Sequence, residues 1–252
     1  CKGDEIVLPA PQLCIYCLGD FQATLDGVPL AFDTDKARAL LAYLAVEADR
    51  PHQRQRLAGL LWSDQPEEKA LHSLRQTLSG LRKALGDDAP DASEPILLVQ
   101  RESLQLNPQS SAWLDVHQFQ QLLERSVGAD GVRPKILNIR RIQQAVALYR
   151  GPFLDQLYLS GSPLFEEWAM VLREACNQHA ISALEQLASY HERRREAPQA
   201  RHAAQRLTEL APWDEHAYIR LMHLYAQDAL WSAAQNQYHT LRRRLHDELG
   251  LE

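Results

Sequence analysis

The sequence predicts a mainly α-helical chain in two parts: strands and three helices over residues 13–108, then an all-α repeat over 112–252. Three observations carry this. Strand-like runs punctuated by turn residues open and close the first part. Between them the apolar residues adopt a spacing of three and four. In the second part, positions recur at a period of 34 residues. A length of 252 residues accommodates two domains of ordinary size.

Residues 13–32, LCIYCLGDFQATLDGVPLAF, are rich in β-branched and aromatic residues, broken by Gly19-Asp20 and Asp26-Gly27. Asp-Gly between apolar runs is a hairpin signal, so a small antiparallel sheet is expected. Over 35–48, Ala37, Leu40, Leu41, Leu44, Ala45 and Ala48 fall on one helical face, with Thr34 or Asp33 as its cap. A second, short helix spans about 53–62, with Leu57, Leu60, Leu61 and Trp62 apolar. Ser63-Asp64-Gln65-Pro66 ends it. Pro66 suits the first position of a third helix, 66–85, and Glu67 and Glu68 suit its N-terminal dipole.

The third helix is the most informative segment. Leu71, Leu74, Leu78, Leu81 and Leu85 make one narrow apolar stripe. The opposite face carries Lys69, His72, Ser73, Gln76, Ser79 and Lys83, flanked by Arg75, Thr77 and Arg82. Gly86 ends the helix. After a polar loop, residues 96–100, the turn Arg101-Glu102-Ser103 and residues 104–106 read as a hairpin. Sheet, three helices and hairpin in this order describe a winged helix-turn-helix with an N-terminal antiparallel sheet and a wing hairpin.

From about 112 onward helical patterns dominate, interrupted at Gly128-Ala129-Asp130-Gly131 and Gly151-Pro152. Ala183 recurs as Ala217, Leu187 as Leu221, Ala200 as Ala234 and Leu207 as Leu241. The step of 34 residues is that of a tetratricopeptide-like (TPR-like) unit, with two units at about 180–211 and 214–247. Earlier helices are expected to stack as degenerate units, because one helical pair cannot bury its own apolar face. Trp62 and Trp168 are expected to pack. The runs Arg193-Arg194-Arg195 and Arg242-Arg243-Arg244 read as solvated helix surface.

Composition excludes several classes. At 45% hydrophobic and 24% charged residues, the chain is an ordinary globular one. No apolar run approaches a membrane span, and CKGDEIVLPAPQLC has no signal-peptide core. A cytoplasmic, nucleoid-associated location with no membrane partner is therefore expected. The start at Cys1 rather than Met leads us to expect a piece of a longer protein. Cys14 and Cys17 form a CxxC with no second half-site, and on a strand they face opposite sides, so no metal is expected. The ten histidines form no metal motif. Phosphate-loop, dinucleotide, nucleophile-elbow and kinase signatures are missing, so neither an enzyme nor a cofactor is expected.

The net charge of −6 is unevenly spread. From Asp33 to Gly86, nine Lys/Arg face seven Asp/Glu, a local +2 against −8 elsewhere. A few placed cations suffice for phosphate contact. Helix 66–85 has no acid between Lys69 and Gly86. Taken alone it could be a plain amphipathic surface helix. Its place in the series points to double-stranded DNA. His72, Ser73, Gln76 and Thr77 are the expected base readers, while Lys69, Arg75, Arg82, Lys83 and the wing residue Arg101 engage phosphate or groove. Lys36, Arg38, Arg54 and Arg56 are weaker phosphate candidates. The rival reading is a helical-repeat protein–protein adaptor whose winged domain is repurposed.

The motifs KARALLAYLAVEADRP, RLAGLLW and SLRQTLSGLRKALG, followed by LDVHQFQQLL, AVALYRGPFL, FEEWAMVLRE, LAPWDEHAYIRLMHLYAQ and YHTLRRRLHDELGLE, resemble the SARP-type regulators. These join an OmpR-like winged helix to a bacterial transcriptional activator domain. The resemblance implies a sequence-specific activator that binds promoter direct repeats as two protomers and contacts RNA polymerase, with a homodimer on DNA. It makes 66–85 the recognition helix and Ser63–Pro66 the polymerase-facing loop. Several positions depart from the family pattern. Gly80 and Leu71 stand where basic residues are common, Leu104 replaces a wing aromatic, and Arg195 and Ala229 occupy turn positions that usually hold Gly. Further domains are frequent in relatives.

Overall fold

The computed structural model describes residues 13–87, 95–124 and 136–249. Strands β1 (Leu13–Tyr16), β2 (Gln22–Leu25) and β3 (Val28–Pro29) form the expected N-terminal meander. Leu25 pairs with Val28, so Asp26-Gly27 is a two-residue loop. Both residues have positive φ, at 50° and 79°, as a primed hairpin turn requires. Helix α1 (Asp35–Val46) follows, and Thr34 is its cap, its hydroxyl accepting from the Ala37 amide. Next come β4 (His52–Gln53), α2 (Arg54–Leu61) and α3 (Glu67–Ala84). Pro66 sits at the N-cap of α3, one residue outside the predicted first helical position. At φ +72°, Gly86 closes the helix through bonds to Lys83 O and from Asp87 N to Arg82 O.

The hairpin is β5 (Leu97–Val99) and β6 (Ser103–Leu106), and it carries an extra strand, β4, on its β6 edge. Strand β7 (Ala112–Leu114) then returns to the first sheet and lies parallel to β1, giving the order β3-β2-β1-β7. Both additions are two- or three-residue strands paired across long sequence separations. No period-2 pattern marks them.

Helices α4 (Asp115–Glu124), α5 (Ile136–Leu148), α6 (Pro163–Arg193), α7 (Ala197–Leu210), α8 (Glu215–Gln227) and α9 (Trp231–Leu249) complete the described residues. The interruption expected at Gly128–Gly131 lies outside them. The chain divides into two compact units: residues 1–118 with 149–174, and residues 119–148 with 175–252. This division does not follow the sequence bounds of 13–108 and 112–252. Residues 149–174 belong with the winged part. Phe153, Leu154, Leu157, Leu159 and Phe165 are buried there. Trp168 packs on the rings of Tyr43, Phe153 and Phe165 and donates its indole N–H to Glu47 Oε1 at 3.1 Å. Trp168 is half-buried, and Trp62 is buried. Asp115 is fully buried and accepts from the Cys17 and Leu18 amides at 2.8–2.9 Å, with Arg150 at 3.3 Å. It fixes the end of β1 to the start of α4. Burial pushes its carboxyl above the ordinary range, and the two backbone amides and Arg150 oppose that.

The second unit is the stack that the 34-residue period implies. Ile139, Ile142 and Val146 of α5 meet Leu184, Leu187 and Ala188 of α6 and Ala203 and Leu207 of α7 in one apolar cluster. Of the recurring pairs, Ala183/Ala217, Leu187/Leu221 and Leu207/Leu241 are buried at both members. Ala200 is buried and Ala234 half-buried. The turns α6–α7 and α8–α9 place Arg195 and Ala229 at φ +59° and +57°. The chain therefore keeps the left-handed turn without glycine, at a cost of about 1 kcal/mol each.

Candidate nucleic-acid interface

The apolar stripe of α3 is Ala70, Leu74, Leu78 and Leu81, continued by Leu85, all buried against the winged unit. Leu71, expected in that stripe, is only half-buried. One hundred degrees per residue then sends Lys69, His72, Gln76, Ser79 and Lys83 to solvent along a single line, and all five are exposed. No carboxylate lies on that line, since α3 confines its acids to Glu67 and Glu68 in the first turn. This row is the most regular polar surface on α3 and offers amide, imidazole, hydroxyl and ammonium groups together.

The flanks differ from expectation in detail. Ser73 is half-buried, and its hydroxyl lies 3.3 Å from Gln65 Oε1, inside the α2–α3 turn. Arg82 is half-buried and donates to Asp87 O at 2.6 Å, so it helps to close the helix end. Thr77 is half-buried beside a small hollow of about 250 Å³ that Gln76, Gly80 and Asp33 also line. A Cβ on Gly80 would stand 3.5 Å from Asp33 Oδ2. Sequence reading missed this carboxylate, because it comes from the loop before α1 and no local pattern links it to α3.

On the other flank Arg75 is exposed and lines a groove of about 400 Å³ with Arg54 and Arg101. Arg101 is at the wing tip, its side chain 95% exposed and 3.7 Å from Glu102. Arg54 donates through Nε to Gln100 O at 3.2 Å, and its amide donates to Glu102 O at 2.9 Å. The N-terminus of α2 is thereby tied to the wing, and three guanidinium groups converge beside the exposed row of α3. Arg56 is exposed. Arg38 is exposed and pairs with Asp35 at 2.8 Å.

Lys36 lies elsewhere. Its ammonium donates to Leu61 O and, at 2.6 Å, to Ser162 Oγ, and it rests 5.4 Å from the Trp62 ring centre. Burial lowers its pKa from the usual lysine value, with Asp64 opposing the change. It closes the C-terminus of α2 onto the 149–174 segment. The Ser63–Pro66 loop is held to the same segment: Ser63 Oγ donates to Gly161 O at 3.2 Å. Gly161 has φ +77°, a backbone that favours glycine, and a Cβ there would stand 2.8 Å from Asp64 Oδ2, so the exposed carboxylate would have to shift. Among the described residues no cluster of His, Cys, Asp or Glu is arranged to hold a metal, and no helix is long and apolar enough to cross a membrane.

Comparison with known proteins gives the family. Transcriptional regulatory protein EmbR of Mycobacterium tuberculosis is 28% identical over 239 residues, which cover 93% of this chain and 58% of EmbR. Transcriptional regulatory protein MoaR1 of the same organism is 26% identical over 235 residues, 93% of this chain and 73% of MoaR1. The chain thus spans little more than half the length of EmbR. The solved structure of Mycobacterium tuberculosis EmbR in complex with a low-affinity phosphopeptide superposes with a TM-score of 0.68 at 26% identity, over 96% of this chain and 62% of that one. The likeness therefore covers both the winged helix-turn-helix and the helical repeat. A family model described as the bacterial transcriptional activator domain matches residues 114–252, more than half of the sequence, and the chain belongs to that family.

Proposed function

We propose that the chain is a sequence-specific DNA-binding transcriptional activator, acting in the cytoplasm on the nucleoid. The observation that carries this reading is the acid-free exposed row on α3, bordered by Arg54, Arg75 and Arg101. In the major groove, Gln76 and His72 meet base edges, while Lys69 and Lys83 meet phosphates. Arg75 and the wing Arg101 take the adjacent backbone or minor groove. Ser73, Thr77 and Arg82 border the contact, and Arg38 and Arg56 remain outer phosphate candidates. Two protomers occupy promoter direct repeats, and the loop at Ser63–Pro66 with its Gly161 support is the surface offered to RNA polymerase.

The test is a titration with DNA from upstream of the protein's own gene neighbourhood at several salt concentrations. A slope of log K on log salt of roughly −4 to −8 is expected for two protomers. Gln76→Ala should change sequence preference, whereas Lys83→Ala should weaken all sequences alike. Uniform loss from both would remove Gln76 from base reading. The excess of acid outside residues 33–86, and Asp33 beside α3, favour a second reading as a protein–protein adaptor. Absence of any specific footprint at low salt would decide for it.

A further inference from the structure

In the second unit a groove of about 470 Å³ opens where α5, α6 and α7 meet. Its floor is Val146, Leu184, Leu187 and Ala203, all buried members of the repeat core. Its rim carries Arg206, His191 and His202, and none of its described lining residues is acidic. Two of the rim groups are held in place. Arg206 donates Nη1 to Val146 O at 3.1 Å, which seats a permanently charged guanidinium at the wall. His191 Nδ1 lies 2.6 Å from Glu196 Oε2, which fixes the ring's direction.

Size selects the class of occupant. A helix about 10–12 Å wide fills roughly 400–600 Å³ per turn, so a partner helix would place only about one turn here. A small molecule fits: pockets of this kind run about 300–1,000 Å³, with an apolar bed and a few placed polar groups. We propose that the α5–α6–α7 groove binds a small amphipathic organic anion, its apolar body on Leu184 and Leu187 and its carboxylate or sulfonate toward Arg206 and His202. This would give the repeat a ligand-sensing site separate from the DNA-facing row, and it does not depend on the DNA-binding reading.

The test uses two fluorescent probes of one aromatic skeleton on the full chain: the anion 8-anilinonaphthalene-1-sulfonate and the neutral N-phenyl-1-naphthylamine. The anion should saturate at one per chain and bind at least about 10-fold tighter than the neutral probe. Ala147 is exposed and lines the groove. Ala147→Trp should fill it and weaken both probes about 10-fold or more. Arg206→Gln should weaken the anion about 5-fold and leave the neutral probe unchanged. His202→Gln, at an exposed position, should do the same about 2-fold and serves if Arg206→Gln fails to fold. Equal affinity for the two probes overturns the anionic class. Unchanged anion binding by an Ala147→Trp variant with wild-type circular dichroism overturns the site, as does the absence of saturable binding.

Discussion

Replacing Lys36 by Met should weaken the fold and leave the salt dependence of DNA binding untouched. The ammonium donates to Leu61 O and Ser162 Oγ and lies against Trp62. Hydrogen bonds from a charged donor are worth about 1.5–3 kcal/mol each. Two features reduce the loss here. Ser162 Oγ itself donates to Leu61 O at 2.6 Å, so that carbonyl keeps a partner. Burial disfavours the charged ammonium, and Met removes that cost while keeping contact with Trp62. A net loss of about 1–2 kcal/mol follows, or roughly 2–8 °C in Tm for a protein of this size. The assay is thermal unfolding beside DNA titration between roughly 50 and 200 mM salt. Arg101→Ala is the comparison: its tip is exposed, so it should leave Tm unchanged and reduce the salt slope by about one per protomer, about two for two protomers. If Lys36→Met instead lowers the slope by about two at unchanged Tm, the internal role assigned to Lys36 is wrong.

Three further outcomes are expected. Asp115→Ala leaves the Cys17 and Leu18 amides buried without their acceptor and should cost about 3–5 kcal/mol in urea unfolding; a loss under about 1 kcal/mol would contradict its role as the tie between β1 and α4. Ala229→Gly relieves the left-handed backbone at φ +57°, and after glycine's greater unfolded-state entropy it should gain about 0.5 kcal/mol, read as a Tm rise of about 1–2 °C. Glu196 accepts from Arg194 and His191, which hold its carboxyl below the usual 4.5. Since the folded value is the lower one, its stabilising contribution is present above 4.5 and is lost as pH falls through the folded value. Glu196→Gln should therefore flatten the acid limb of stability against pH, and an unchanged limb would show that the pair carries no linkage.

The exposed polar row of α3 was legible because helical geometry alone decides it. Once Leu74, Leu78 and Leu81 are placed inward, Gln76, Ser79 and Lys83 must point outward, whatever the rest of the chain does. What surrounds that face was not legible. Ser73 and Arg82 read as outer or flanking groups from their angles on α3, yet Gln65 Oε1 and Asp87 O, both beyond the helix ends, draw them aside. Lys36 looked like any helix-surface cation, because its partners Leu61 and Ser162 stand 25 and 126 residues away.

By itself the sequence determined the helices and hairpins, the left-handed Asp26-Gly27 turn, the 34-residue stack and the composition of the α3 face. Each rests on interactions within a few residues or on a repeated local unit, so the pattern survives without knowledge of distant partners. Only the tertiary structure decided that β7 pairs parallel to β1, that Asp115 ties the two ends of the winged unit, and that residues 149–174 join that unit. These depend on loop closures across about 100 residues, whose entropy rises only slowly with length and leaves little mark on local sequence. The same holds for the exposed row of α3: its line of side chains is written in the helix, and the groups that flank it were assembled by the fold.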